Sequence, residues 1–193
     1  MEELRQLKDA LVSERPASWK EFPDIGLYKD QVVAYISKQL IRFHDEELLT
    51  SAMINNYIKD KLLPRADGKK YSKEHLAGLI EICILKQVLS VRNTGFLLNQ
   101  VLGESNQEIF YERFKEDFDD SLARVAEQIE TNWSLQDLSD IALRMAISSY
   151  CDKLVCERLI EIIRSKTKPE QINKSEKSDK KPDKHQNNQE QER

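Results

Sequence analysis

Two adjacent asparagines, Asn55 and Asn56, lie in the middle of a segment whose residue pattern predicts a helix. The carboxamide of asparagine can pair with an adenine edge through two hydrogen bonds, which discriminates against a wrong base by about 1–3 kcal/mol. Both residues are expected on the outer side of that helix, because Ile54, Tyr57 and Ile58 share its apolar side. They are candidates for reading bases in duplex DNA, although asparagines that only face solvent would leave the same pattern.

Small and basic residues near the asparagines complete a candidate DNA-binding surface. Cationic side chains bind phosphates without sequence preference, whereas single solvated charges are also common on other proteins. A tyrosine in this helix is more typical of the core, with a hydroxyl that can reach a phosphate from a packed ring. The other candidates for DNA contact are Ser51, Ala52, Tyr57, Lys59, Arg65, Lys69 and Lys70.

The elements that would position these residues follow the order helix, connection, helix, basic hairpin, helix. Apolar spacing predicts a first helix that ends near Arg42 and a second over 51–61, with Thr50 as its N-cap. Asp67 and Gly68 are a favoured pair for a two-residue hairpin turn with positive φ at both positions. This order predicts a winged helix-turn-helix, whose second helix enters the major groove while the hairpin touches the DNA backbone.

Composition divides the chain into four parts, which differ in charge. Residues 27–100 have a net charge of +3 and residues 101–165 have a net charge of −7. Such asymmetry is typical of a chain in which one part meets a polyanion. The predicted parts are an N-terminal helix and strap (1–26), the winged helix-turn-helix (27–103), an acidic helical region for dimerisation or effector sensing (104–165) and a disordered tail (166–193).

The last predicted helix is apolar around much of its circumference, from Leu138 to Ile163. Such a helix must be covered on more than one side, by the fold or by a second subunit. Helix-turn-helix proteins commonly bind two half-sites as dimers, so we expect a homodimer.

Catalytic and metal-binding patterns are weak, so we expect no enzyme activity, metal or cofactor. The three histidines are scattered, and Cys151 and Cys156 are separated by about 140° around a helix. An odd number of cysteines fits a reducing cytoplasm, and no apolar run approaches the roughly 20 residues that span a membrane. We therefore expect a cytoplasmic protein without a membrane segment.

The segment from Thr50 to Ser72 resembles the DNA-binding domain of MerR-type regulators. In that family a small capping residue begins the recognition helix, and a Leu-Leu-Pro-like stretch, a wing and Tyr-Ser follow it. The matching residues here are Thr50, Leu62 to Pro64, Arg65 to Lys70, Tyr71 and Ser72. Asn55 stands where the family usually has a phosphate-clamping arginine. Asn56 replaces the first residue of an aromatic pair, and Tyr57 keeps the second.

A longer block, over residues 20–125, is similar to a bacterial family known as domain of unknown function 1836. Its motifs are Met-Ile-Asn-Asn-Tyr at 53–57, Leu-Leu-Pro at 62–64 and Lys-Tyr-Ser-Lys-Glu-His at 70–75. The resemblance implies a transcriptional regulator with a MerR-like fold and no defined target.

These observations predict a mostly α protein that binds double-stranded DNA in a sequence-specific way and regulates transcription. The predicted fold is a MerR-like winged helix-turn-helix with a small β-hairpin wing, then a helical C-terminal region and a disordered tail. The alternative is a protein-binding adaptor that docks a partner through its acidic helices, since a fold does not determine a function. An unidentified effector is compatible with both.

Overall fold

The computed structural model describes residues 2–43, 47–103 and 105–167, and within these residues the regular structure is helical. Most of the predicted tail, residues 168–193, lies outside this part of the chain. One short 3-10 helix occupies Trp19–Glu21. The α-helices are α1 (Glu2–Ser13), α2 (Lys29–Ile36), α3 (Ser51–Lys59), α4 (Lys73–Leu85), α5 (Val91–Leu102), α6 (Gln107–Glu127) and α7 (Leu135–Thr167).

Helix α4 is the centre of the fold, because α2, α5 and α6 all pack against it. Eight of its thirteen residues are buried, and they lie around most of its circumference. Val32 and Ile36 of α2 and Ile54 of α3 are fully buried in the same core. Each such aliphatic side chain contributes about 1.5–3 kcal/mol on burial, so the position of α3 is set by the packing around α4.

A second apolar cluster joins α1 to the end of α6 and the start of α7. Leu4 and Leu11 pack there with Ala126 and Ile129, and the Lys8 ammonium donates to the Ile129 carbonyl at 2.9 Å. The chain forms a first compact unit that ends at Ile160, and the described part of the second consists of the last turns of α7. Among the described helices, none is apolar enough over a sufficient length to cross a membrane.

The prediction of a mostly α protein is confirmed, but the predicted β-hairpin wing is wrong. In the part of the chain that the structure describes, β pairing is limited to two isolated bridges, Leu27 with Tyr71 and Asp67 with Lys70. Tyr71 exchanges two 2.9 Å backbone bonds with Leu27. The ladder that Asp67 and Lys70 begin does not extend, because its next hydrogen-bonded pair needs the Ser72 N–H, which donates to His75 Nδ1 at 3.0 Å. The winged helix-turn-helix is thus corrected to a helical fold with a tight turn over residues 65–70. We call this segment the basic turn, because it carries Arg65, Lys69 and Lys70.

The turn itself has a different centre from the one predicted. Asp67 and Lys70 exchange backbone bonds of 3.1 and 3.0 Å, so Gly68 and Lys69 are its central residues. Gly68 has a φ of 60°, and Lys69 is outside the positive region. This combination belongs to a type II′ turn, in which glycine takes the first central position. Asp67 is therefore a flanking residue, which does not need a positive φ.

Helix α2 ends at Ile36, earlier than the end near Arg42 that its apolar spacing predicts. Two tighter bonds follow it, from Lys38 N–H to the Tyr35 carbonyl and from Gln39 N–H to the Ile36 carbonyl. The Gln39 side chain then accepts a 2.8 Å bond from the Ala17 amide. The chain thus leaves the helix where it contacts a distant segment. The local spacing of apolar residues does not predict such a contact.

One carboxylate is buried in the core, on the side of α4 that faces α6. Glu81 is only 3% exposed, and Gln107 Nε2 donates to its two carboxyl oxygens at 3.1 and 3.4 Å. Burial raises the pKa of the Glu81 carboxyl to about 7, and the bond from Gln107 partly offsets this rise. The folded protein therefore holds a proton on Glu81 at pH values where the unfolded chain has released it.

We predict that Glu81→Gln removes a pH-dependent loss of stability. The raised pKa adds stability that is complete below the ordinary carboxyl pKa and is lost as the pH rises through about 7. The variant and the original protein should unfold with similar free energies at low pH. At pH 8 the variant should be more stable by up to about 3 kcal/mol. Urea unfolding between pH 4 and pH 8.5 measures the difference.

Glu74→Gln is the matched control. Glu74 lies in the same helix, but its pKa is shifted in the opposite direction. Hydrogen bonds from Ser72 and the Glu74 backbone hold the pKa of the Glu74 carboxyl below its ordinary value. Its ionised form therefore favours folding, and its removal should lower the stability at pH 8. The same pH dependence for both variants would contradict the assignment of the effect to Glu81.

Candidate nucleic-acid interface

Helix α3 presents its polar side outward because its apolar side is anchored in the core. Its first turn is capped by Thr50, whose hydroxyl accepts a 3.1 Å bond from the Met53 N–H. Ile54 is completely buried, whereas Asn55 and Asn56 are exposed. The predicted N-cap and the predicted orientation of the helix are confirmed.

The outer side of α3 carries most of the residues predicted to contact DNA. Ala52 and Lys59 are exposed together with the two asparagines, and Ser51 is half-buried at the N-terminal end. Lys29, the first residue of α2, donates a 2.6 Å bond to Asn55 Oδ1. This bond uses one of the two lone pairs of the oxygen, so the other lone pair and the NH₂ group of Asn55 remain for a further partner. The residue pattern missed Lys29, whose only signal is a basic side chain off the apolar stripe of its helix.

Tyr57 lies on the inner side of α3 and does not belong to the outer surface. It is 3% exposed, and its carbonyl accepts bonds from the amides of Leu62 and Leu63 at 2.8 and 3.2 Å. Burial, more than the nearby Cys83, raises the pKa of its hydroxyl to about 12. Tyr57 is therefore a neutral core residue that anchors the inner side of α3.

The end of α3 is a Schellman motif with a lysine where glycine is usual. Leu62 N–H bonds to the Tyr57 carbonyl and Lys61 N–H to the Ile58 carbonyl. Lys61 has a φ of 60°, which is left-handed backbone. Leu62 then packs against α5 so closely that a Cβ on Gly95 would lie 2.8 Å from its Cγ. The chain thus reverses sharply after α3 and brings Arg65 back beside it.

His75 holds the basic turn against the N-terminus of α4. Its Nδ1 accepts a 3.0 Å bond from the Ser72 N–H, so Nε2 carries the proton and can donate to the Arg65 carbonyl at 3.4 Å. Lys70, at the tip of the turn, packs against Gly26. A Cβ added to Gly26 would lie 2.9 Å from the Lys70 Cβ. Both Lys69 and Lys70 are exposed at this tip.

A cleft of about 750 Å³ opens between α3, α4, α5 and the start of α6. It brings together Asn55, Lys59 and Arg65 of the predicted site. The other predicted residues, Ser51, Ala52, Asn56, Tyr57, Lys69 and Lys70, do not line it. Glu81 does line it, and residue spacing did not single out this carboxylate. Its signal was a lone acid inside the otherwise apolar run over 79–85.

A family model described as "Domain of unknown function (DUF1836)" matches residues 17–118. The chain belongs to this family. The DUF1836 region runs from the segment before the 3-10 helix into α6, so it includes α3, the basic turn and the whole cleft. Neither the curated proteins nor the solved structures contain a match to the chain. The predicted family is confirmed, and the match does not bring a function with it.

The described part of the DUF1836 region and of the helices after it holds no group of three or more His, Cys, Asp or Glu residues that is arranged to bind a metal ion. The chemical groups of the site are amides, cations, the buried carboxylate of Glu81 and the exposed carboxylate of Glu74. These groups can form hydrogen bonds and ion pairs with a ligand.

We predict that Lys61→Gly stabilises the protein. A residue with a Cβ in left-handed backbone costs about 1–2 kcal/mol, which glycine avoids, while the greater freedom of glycine in the unfolded chain offsets part of the gain. The free energy of unfolding should therefore rise by about 0.5–1 kcal/mol. Urea unfolding at neutral pH measures the change.

Lys59→Gly is the matched control, two residues earlier and inside the helix. It removes the same charge but should lower the stability by about 0.5–1 kcal/mol, because glycine is unfavourable in a helix. If both variants were destabilised equally, the left-handed backbone at Lys61 would carry no strain.

Proposed function

We propose that this chain is a cytoplasmic regulator of transcription that binds double-stranded DNA. The outer side of α3 enters the major groove, and the basic turn after it contacts the phosphate backbone. One observation carries this proposal: two exposed asparagines lie on the outer side of a capped helix whose inner side is locked in the core. This is also the kind of function that the resemblance to MerR-type regulators implies.

The dimensions and polarity of α3 suit this role. An α-helix with its side chains is about 10–12 Å in diameter, which fits the major groove of about 12 Å width. The bond from Lys29 orients the carboxamide of Asn55, which lowers the entropy lost when that group pairs with a base edge. Lys59 and Arg65 lie beside it on the same cleft and can bind the flanking phosphates.

We predict that two double variants separate base reading from phosphate binding. Asn55→Ala with Asn56→Ala should weaken binding to a preferred duplex by about 1–3 kcal/mol for each base pair that an asparagine reads. Lys69→Ala with Lys70→Ala should weaken binding to all duplexes. It should also reduce the slope of log affinity against log salt by about 0.9 for each phosphate that a lysine neutralises. Fluorescence anisotropy measures both effects, with a duplex selected by the protein from a random pool.

Asn132→Ala and Lys20→Ala are controls at exposed residues outside α3 and the basic turn, and they should bind DNA as the original protein does. The DNA-binding proposal fails if folded protein at micromolar concentration shows no salt-dependent binding to any duplex. That result would favour the alternative, a protein-binding adaptor. The observation behind this alternative is a row of acidic residues on α6, namely Glu108, Glu112, Glu116, Asp119 and Asp120.

We propose in addition that the protein dimerises through α7. Leu143, Ile147, Tyr150 and Leu154 are each more than half exposed. Their spacing of four, three and four residues places them on one stripe, which is the pattern of a two-helix seam. Such a stripe is costly to leave in water, and a second copy of α7 presents a matching one. The dimer would also supply two copies of α3 for two half-sites.

We predict that Ile147→Asp with Leu154→Asp yields a monomer. Two carboxylates in the seam replace its apolar surface and repel their counterparts, while the exposed positions should leave each subunit folded. Sedimentation equilibrium measures the mass, and circular dichroism checks the helix content. Ser148→Asp, on another side of α7, is the control and should stay dimeric. A monomeric original protein at tens of micromolar would rule out the dimer.

A further inference from the structure

The cleft beside α3 has a desolvated carboxylate at its base. Glu74, Gly78 and Glu81 recur along α4 at intervals of four and three residues, so one side of α4 forms a wall of the cleft. Glu74 is exposed at the rim, whereas Glu81 is only 3% exposed. Gly78 has no side chain to fill the cleft between them, and a Cβ there would lie 3.3 Å from Leu63 Cδ1.

The hydrogen-bonding capacity of Glu81 is mostly unused by its described neighbours. An ionised carboxylate offers about four acceptor sites, but the bond that Glu81 accepts is shared between both oxygens and comes from one donor, Gln107 Nε2. The nearby Tyr111 hydroxyl is occupied, because it donates to the Ala17 carbonyl at 2.7 Å. A buried carboxylate with one neutral donor is poorly compensated.

The rest of the cleft wall is largely apolar. Its volume of about 750 Å³ lies in the range of small-molecule sites, which combine apolar walls with a few polar groups that orient the ligand. The apolar side chains that line it are Ile58, Leu62, Leu63, Leu98, Leu102 and Phe110.

We propose that this cleft binds a small molecule with an apolar body and a protonated amine, and that the amine pairs with Glu81. An ammonium group offers three donors and a positive charge, which are what the carboxylate lacks. The apolar body covers the leucines and Phe110 on the walls. The proposed DNA-binding function does not use Glu81.

The cations on the cleft wall do not reverse this preference. Lys59, Lys61 and Arg65 line the cleft too, but all three are exposed to water, where charge interactions are weak. Glu81 is desolvated, so an ion pair there gains more. The pKa of Glu81 supports this picture, because its shift has two causes, burial and the bond from Gln107, and neither is a charged neighbour.

The test uses three probes of similar shape with the full chain at pH 8, where Glu81 is ionised and an alkylamine is protonated. The probes are phenethylamine, phenethyl alcohol and phenylpropionate, and isothermal calorimetry measures their affinities. We expect the amine to bind most tightly. In Glu81→Gln its affinity should fall by about 10- to 100-fold, as expected for the loss of a charged hydrogen bond, while the alcohol should bind both proteins equally.

Glu74→Gln is the matched control, because it removes the other carboxylate of the cleft, and it should retain the affinity for the amine. The inference is overturned if the alcohol or the anion binds as tightly as the amine. It is also overturned if Glu81→Gln keeps the full affinity, or if folded protein binds no amine at millimolar concentration. A melting curve for each variant confirms that it is folded.

A ligand in this cleft would also touch Asn55, Lys59 and Arg65, so it would act as an effector of DNA binding. This coupling rests on the proposed function, whereas the calorimetric test contains no DNA. Loss of DNA binding and loss of amine binding are therefore separate results.

Discussion

The burial of α4 on nearly every side is the constraint on which the rest of the structure depends. Helices α2, α5 and α6 pack around it, and α3 packs against α2, so the outer side of α3 is determined by which of its residues reach the common core. Glu81 lies on the same side of α4 as the exposed Glu74, but Gln107 at the start of α6 packs against it. The Glu81 carboxyl is therefore buried, and the cleft beside it is the place where it can still be reached.

Features that depend on neighbouring residues could be predicted from the sequence. The Thr50 cap is confirmed because it needs only a hydroxyl and an amide three residues away. The orientation of α3 is confirmed because Ile54 and Tyr57 recur at helical spacing and both reach the core. The family could be predicted because its motifs at 53–57 and 70–75 are compact and specific.

Features that depend on distant partners could not be predicted. Tyr71 pairs with Leu27, and Gln39 accepts from Ala17. The first bond gives Tyr71 a partner outside the predicted hairpin, and the second stands where the local pattern favours a longer helix. In the candidate site, residue type indicated the asparagines and cations but not which of them share a cleft. Arg65 joins Asn55 and Lys59 only because the chain reverses after α3, and Glu81 joins them only through the packing of α4.

The reversal after α3 connects the two proposed activities. Lys61 adopts left-handed backbone at a cost of about 1–2 kcal/mol, which persists because Leu62 is held beside Gly95 of α5. The same reversal places Leu62 and Arg65 on the cleft, directly after the helix proposed to enter DNA. A ligand that presses on Leu62 would therefore push against the end of α3. Since α3 has only nine residues, a change at its strained end reaches Asn55 within two turns.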